Sequence, residues 1–346
     1  MYKKLFIIVF LVIFLVVANN AMLFAKENLI VSMFGGTFEK AEREIMVEDF
    51  EKENDCTVLV ETLLSLASLN KVRAEKDNPT LAVPQMDEIF AVQAVQQDIY
   101  TTLDLSKLKN FKDIDGIFTY DHNKFVGWYW GNLLIAYNSD YVKDPPKSWE
   151  DLWDPKYKGK LILPDITQTT GMYVLVAWSM LNGGSETNVD PGFEKLASIK
   201  PNVLTFWTSH DQAARMLNSG EAWITVWVAD RAYTQEMMGS PIRSVVPEGT
   251  PYYVGVVGIP DKIEDKELAY KWIDKLLSPE VQKFLGEKIT LSPTNTKVDL
   301  DLDPTVVERM IGESTKSKLI KNMDYIKINE LREGWVERFR REISSQ

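Results

Sequence analysis

One cysteine and two histidines are all the thiol and imidazole that the 346-residue sequence contains. Cys56 has no partner for an internal disulfide, and a zinc site built from Cys and His has too few ligands. Nucleophilic catalysis would have to start from His122, in the polar stretch 120–124, or from His210, beside Asp211. These are the settings of a surface loop and a helix cap. G-x-S-x-G, H-E-x-x-H and a phosphate-cradling glycine loop are also missing, so no metal or cofactor is expected. Basic runs are absent: 39 Lys+Arg face 50 Asp+Glu, a formal charge of −11. Such a surface repels phosphate backbones, which excludes nucleic-acid binding. The longest apolar run, residues 5–18, has 14 residues, short of the roughly 20 that span a bilayer.

That run follows Lys3 and Lys4, the arrangement of a secretory signal peptide, with cleavage expected after Ala25. Leu23 and Phe24 are poor company for a small-residue cleavage site, so an uncleaved anchor over residues 5–25 is the rival reading. Either way the folded part lies outside the cytoplasm. With 45% hydrophobic and 26% charged residues the chain is globular. At this length two lobes are expected, because single cores stop growing at roughly 250–300 residues.

Strand and helix signals then alternate. Residues 28–33 read as a strand, Gly35-Gly36 as a turn, and Thr37 as the cap of a helix ending near residues 53–55. A strand at 57–62, placing Cys56 with Val58 and Val60 on one face, a helix at 68–76 and a strand at 87–90 follow. Ser148 and Asp151 form a capping box, residues 160–163 a strand, 211–217 a helix closed by Gly220, and 222–228 a strand. Asp190-Pro191 and Ser278-Pro279 each open a helix. The alternation predicts an α/β fold with a mostly parallel sheet. Extended apolar segments at 133–137 and 254–259 bracket the middle block and read as two crossings between lobes. Residues 26–132 with about 256–300 make one lobe and about 138–250 the other, with hinges at 132–137 and 253–258. In the remaining 301–346, Trp335, Phe339 and Ile343 recur at i, i+4, i+8 as one face of an amphipathic helix of unassigned lobe.

The run Lys147-Ser148-Trp149-Glu150-Asp151-Leu152-Trp153-Asp154-Pro155-Lys156-Tyr157-Lys158-Gly159-Lys160 resembles the "SWxDLWxPxYKG" segment of the substrate-binding proteins of polyamine-type ABC importers. GWYWGNLLIAYN at 127–138 is similar to that family's first crossing, LSPEVQ at 277–282 to its "LSPExQ" helix start, and Pro293-Thr294-Asn295 to its late "PTN" turn. The resemblance runs in order over roughly residues 28–343. It implies a type II periplasmic-binding fold, two α/β lobes closing on a ligand, and a monomeric receptor that delivers a small solute to membrane permease subunits. It also implies acidic residues after the strand at 160–163 and at the second crossing, holding ammonium groups between aromatic walls. Here the first loop carries Asp165 among hydroxyls and an amide, and the second crossing carries Gly255 in the apparent place of an aspartate. These departures point to an amine other than spermidine.

Loops after strand C-termini converge on the crevice of an open α/β sheet, which selects the candidate ligand-binding residues. Phe34, Gly36 and Thr37 offer backbone N–H groups to a carboxylate, or make a tight turn and cap. Thr167, Thr169 and Thr170 supply hydroxyls beside Asp165. Trp128 and Trp130 share one strand face, in cleft or core, and Trp227 and Tyr253 add rings suited to an organic cation. Asp87 either meets an ammonium or caps a helix, and Asp230 either meets one or pairs with Arg231. The lining as a whole favours a cationic or zwitterionic amine. The alternative is a secreted glycan hydrolase, which needs only two carboxylates.

Overall fold

The computed structural model describes residues 27–320 and 323–344. The signal-peptide and anchor readings fall outside the described residues. The chain enters through β1 (Glu27–Met33), α1 (Gly36–Asn54), β2 (Cys56–Thr62) and α2 (Ser65–Ala74), and β3 (Gln85–Asp87) runs directly into α3 (Glu88–Gln96). After short 3₁₀ turns comes β4 (Phe125–Asn138). Then follow β5 (Leu161–Pro164), α4 (Thr169–Leu181), α5 (Asp190–Ile199), β6 (Val203–Trp207), α6 (His210–Ser219), β7 (Ile224–Val228), α7 (Ala229–Met237) and β8 (Ile242–Val245). The chain returns through β9 (Tyr252–Gly258), α8 (Lys266–Leu276), α9 (Pro279–Ile289), β10 (Ser292–Pro293), α10 (Pro304–Ile311), α11 (Glu313–Lys316) and α12 (Tyr325–Phe339).

Strand β4 organises both lobes. All 14 of its residues are buried, so it reads as an unbroken apolar run rather than an alternating one. From Phe125 to Asn132 it pairs with β9, and from Leu133 onward with β7 and β8. The change of partner at Asn132/Leu133 is pinned by the second connection, where Leu133 N–H donates to the Pro251 carbonyl (2.9 Å) and the Thr250 hydroxyl to that of Leu133 (2.6 Å). Elements gathered on the first half of β4 form one lobe and those on its second half the other.

The expectation of a mostly parallel sheet is corrected. β1–β2, β5–β6 and β5–β7 are parallel, but β4 runs antiparallel to β7, β8, β9 and β10, and β3 to β9. The cause is the double crossing: β4 carries the chain out and β9 carries it back, so the two must oppose. The strand expected at 87–90 stops at Asp87, and Phe90 is helical. Cys56 is buried and outside any disulfide.

The C-terminal helix seals Trp335, Phe339 and Ile343 against the protein, roughly 1.5–3 kcal/mol for each buried side chain. It grips both lobes. Asn329 donates to the Ile89 carbonyl (2.6 Å) and accepts from Gln93 (2.8 Å) in the first lobe, and Phe339 meets Phe206 (4.9 Å between ring centroids) and Arg338 pairs with Asp190 in the second.

Candidate functional site

Two strand-to-helix junctions face each other across the lobes, and each carries an aspartate. At the β3–α3 junction Asp87 is the N-cap residue of α3, yet its side chain makes no capping bond. Its N–H donates to the Ser65 hydroxyl (3.0 Å), and its Oδ2 accepts from Thr169 Oγ1 (3.2 Å) at the start of α4 in the other lobe. Asp87 keeps some exposed surface as a residue, but its carboxylate is enclosed. Burial pushes its pKa up to about 6, the Ser65 and Thr169 hydroxyls hold it back, and the charge of Asp230 adds to the rise. At the β7–α7 junction Asp230 is 5% exposed and lies in the first turn of its helix. Its Oδ1 accepts from the Tyr253 hydroxyl, and Arg231 Nε lies 3.5 Å from its Oδ2. Burial raises this carboxylate's pKa too, against the opposing pull of Arg231 and then of Tyr253.

Between the two acids lies an aromatic floor made by β4 and β9. Tyr129 pairs with Gly255 and Gly131 with Tyr253 in register, each glycine directly opposite a tyrosine. Phe34 and Phe38 meet the Tyr129 ring edge-on at centroid distances of 6.1 and 5.8 Å. Burial holds the Tyr129 phenol well above its ordinary pKa, and the charges of Asp87 and Asp230 push the same way. From the second lobe Arg231 spans the cleft: it donates to Thr37 Oγ1 (2.8 Å) and sits 4.5 Å over the Phe38 ring. Rings, two carboxylates and a single guanidinium thus converge at the meeting of the lobes.

Comparison with known proteins agrees with this architecture. Residues 45–309 match the family described as bacterial extracellular solute-binding protein. The chain belongs to that family. It is 28% identical over 274 residues to the spermidine/putrescine-binding periplasmic protein of Salmonella typhimurium, covering 75% of this chain and 77% of that one. It is 22% identical over 303 residues to the gamma-aminobutyric acid-binding protein of Pseudomonas aeruginosa, covering 82% of each. The crystal structure of an ABC transporter protein from Clostridium perfringens superposes with a TM-score of 0.75 at 26% identity, over 91% of this chain and 99% of that one. The two-lobe type II fold and the role of solute-binding component of an ABC importer follow. The glycan-hydrolase alternative gains nothing from these relatives. No described helix is long and apolar enough to cross a membrane.

In this solute-binding protein the residues expected at the site fall into two groups. Asp87, Thr169, Asp230, Tyr253, Phe34 and Thr37 are brought together as above. Thr37 is not a helix cap, however: Gly35 is the N-cap of α1, with φ 81° permitted by its missing Cβ, and Gly36 is the first helical residue. The others stand apart. Asp165 spends its carboxylate on Thr167, accepting from its N–H (2.9 Å) and hydroxyl (2.6 Å) in an exposed turn, and Thr170 is buried in α4. Trp130 stacks on Phe118 (5.7 Å) and donates to the Pro293 carbonyl (3.1 Å), inside the first lobe. Trp128 falls at a register shift in β4, its ring 4.6 Å from Tyr129. Trp227 donates from Nε1 to His210 Nδ1 (3.0 Å). His210 follows the N-cap Ser209 at the start of α6, as expected, and is partly buried; burial, helped by the charge of Arg231, pushes its pKa down to about 3 and keeps it a neutral acceptor.

Sequence reasoning missed Tyr129 and Glu88. Glu88 is buried next to Asp87 but turned toward Tyr120, Tyr173, Tyr252 and Tyr325, and burial raises its pKa to about 7. The Tyr120 hydroxyl opposes that rise from nearby, short of hydrogen-bond geometry. Tyr173 lies one helical turn after Thr169, in the field of both Asp87 and Glu88. The signal for Tyr129 was present in Gly255, a glycine opposite an aromatic across paired strands.

Proposed function

We propose that the importer's solute is small and carries a positively charged amine, seated between Asp87 and Asp230 over Tyr129 and Tyr253. The observation that supports this is the unequal treatment of the two acids. Arg231 compensates Asp230, while among the described residues the enclosed carboxylate of Asp87 is met by the Ser65 and Thr169 hydroxyls and the like charge of Asp230, with no cation paired to it. An uncompensated buried charge costs several kcal/mol, so the site is completed by a cation from outside. Aromatic contact alone returns about 0.5–2 kcal/mol, which makes the acid the deciding group. At the other end of the ligand, Arg231 and Thr37 suit a hydrogen-bonding or carboxylate group. A polyamine-like ligand is the second reading, favoured by Glu88 behind Tyr173.

The lobes, 26–132 with about 256–300 and about 138–250, close as hinged bodies on this solute, the segment 301–346 lying over both. The receptor works as a monomer, catalyses no reaction and hands its ligand to permease subunits. Two relatives carry names consistent with an amine, spermidine/putrescine-binding and gamma-aminobutyric acid-binding. Isothermal titration of the purified protein with γ-aminobutyrate, putrescine and spermidine, alongside an uncharged sugar, tests the assignment. Saturable binding of γ-aminobutyrate above putrescine, with compaction in small-angle scattering, is the expected result. Preference for putrescine selects the second reading, and binding of the sugar alone overturns both.

A further inference from the structure

The rings of Tyr129 and Tyr253 cross the β4–β9 seam in opposite directions, each lying over the glycine opposite it. A Cβ on Gly255 would overlap the Tyr129 ring, and one on Gly131 would overlap Tyr253. A Cβ is a methyl-sized probe, and beneath the Tyr129 ring there is no room for it. Sideways the ring meets Trp128 at 4.6 Å, Phe38 at 5.8 Å, Phe34 at 6.1 Å and Tyr253 at 6.4 Å. Close-packed groups do not give way to extra volume without strain of about 1–3 kcal/mol. Tyr129 is therefore a wall that cannot retreat, and it stands in the field of both acids.

Resting on the amine reading above, we infer that Tyr129, seated by Gly255, is a specificity-determining residue that restricts the ligand's charged head to an unmethylated primary ammonium. Size is one reason, since each N-methyl group would have to be accommodated against a fixed ring. Donor count is the other. Asp87 and Asp230 present carboxylate oxygens for which Thr169, Tyr253 and Arg231 are the neighbouring donors. A primary ammonium brings three N–H donors to them, and a trimethylated head brings none, leaving buried acceptors unmet. An aromatic wall alone would tolerate methylated cations, so the rigid ring and the acids act together.

The test is titration of γ-aminobutyrate, putrescine and the N-trimethylated counterpart of each into the wild type, Tyr129→Ala, Gly255→Ala and the double variant, with thermal melting to verify folding. The wild type should favour primary over trimethylated probes by about a hundredfold, the factor set by lost donors and strain together. Tyr129→Ala should cut that preference to about tenfold, the share left to the unmet carboxylates. Gly255→Ala should weaken every probe by about tenfold or more as the ring is pushed toward the two acids, and the added Tyr129→Ala should restore most of that loss. If Tyr129→Ala fails to fold, Tyr129→Leu serves in its place. A preference that stays near a hundredfold after loss of the ring, or a Gly255→Ala protein that binds as the wild type does, overturns the proposal alone. A wild type that binds neither primary amine overturns the amine reading and this proposal with it.

Discussion

The junctions β3–α3 and β7–α7 are alike in outline: a buried strand runs directly into a helix, with an aspartate at the N-cap of the first helix and in the first turn of the second. Their environments then diverge. Asp230 has its cation in the next residue, a tyrosine hydroxyl on one oxygen, and the Thr290 hydroxyl on its backbone carbonyl (2.7 Å). Asp87 pairs with no cation among the described residues, and its carboxylate accepts from Thr169, a residue of the opposite lobe. On the proposed reading both acids face the ligand, but Asp230 is already tied into the framework while Asp87 depends on the ligand for its cation. Which role an aspartate takes is decided by what the fold brings to it.

The sharpest way to break that comparison is to neutralise each acid in turn. Asp87→Asn should weaken amine binding by about a hundredfold or more, the size expected when a buried charge loses its partner, while the ligand-free protein melts higher. Calorimetry and thermal melting read the two effects. Asp230→Asn should cost about tenfold, because it also strands Arg231, and equal losses for the two variants would remove the distinction.

Acidity sharpens the contrast without mutation. Asp87 has an ordinary pKa of 3.8, raised to about 6 in the folded protein, and an ammonium needs it ionised. Affinity should be flat above about pH 7 and fall through pH 6, approaching tenfold per unit below it. Stability of the ligand-free protein moves the other way. Glu42 (raised to about 8, chiefly by burial), Glu88 (about 7) and Asp87 are all acids whose folded pKa lies above the unfolded one. The destabilisation from burying their charge is fully present above about pH 8 and is relieved as pH falls toward about 4. A melting temperature that rises between pH 8 and pH 6 checks this. The smallest effect is expected of Thr169→Val, about 1 kcal/mol or some fivefold in affinity, since it removes one neutral hydrogen bond to Asp87.

The framework was largely legible, because it rests on local signals. The helix starting at Ser278, capped by its hydroxyl on Val281 N–H, and the Ser148–Asp151 box both form where the residues place them. The crossing strands were visible as apolar runs. What the alternation could not convey was direction, since an apolar strand reads the same whether its neighbour runs with it or against it. The site was less legible for a similar reason. Trp128 and Trp130 draw attention by size, but a register shift beside Trp128 and the packing of Trp130 on Phe118 put Tyr129 at the acids instead. Asp165 looked available until its carboxylate was found closing its own turn on Thr167.

The C-terminal helix has a kinetic consequence. It holds α3 of the first lobe through Asn329 and the second lobe through Arg338 and Phe339, so the lobes cannot part without loosening one of these grips. Contacts that must break before the cleft opens slow departure more than arrival. On the proposed hinged closure, the residence time of a captured solute, and with it the interval available for meeting a permease, would be set partly by a segment far along the chain from either aspartate.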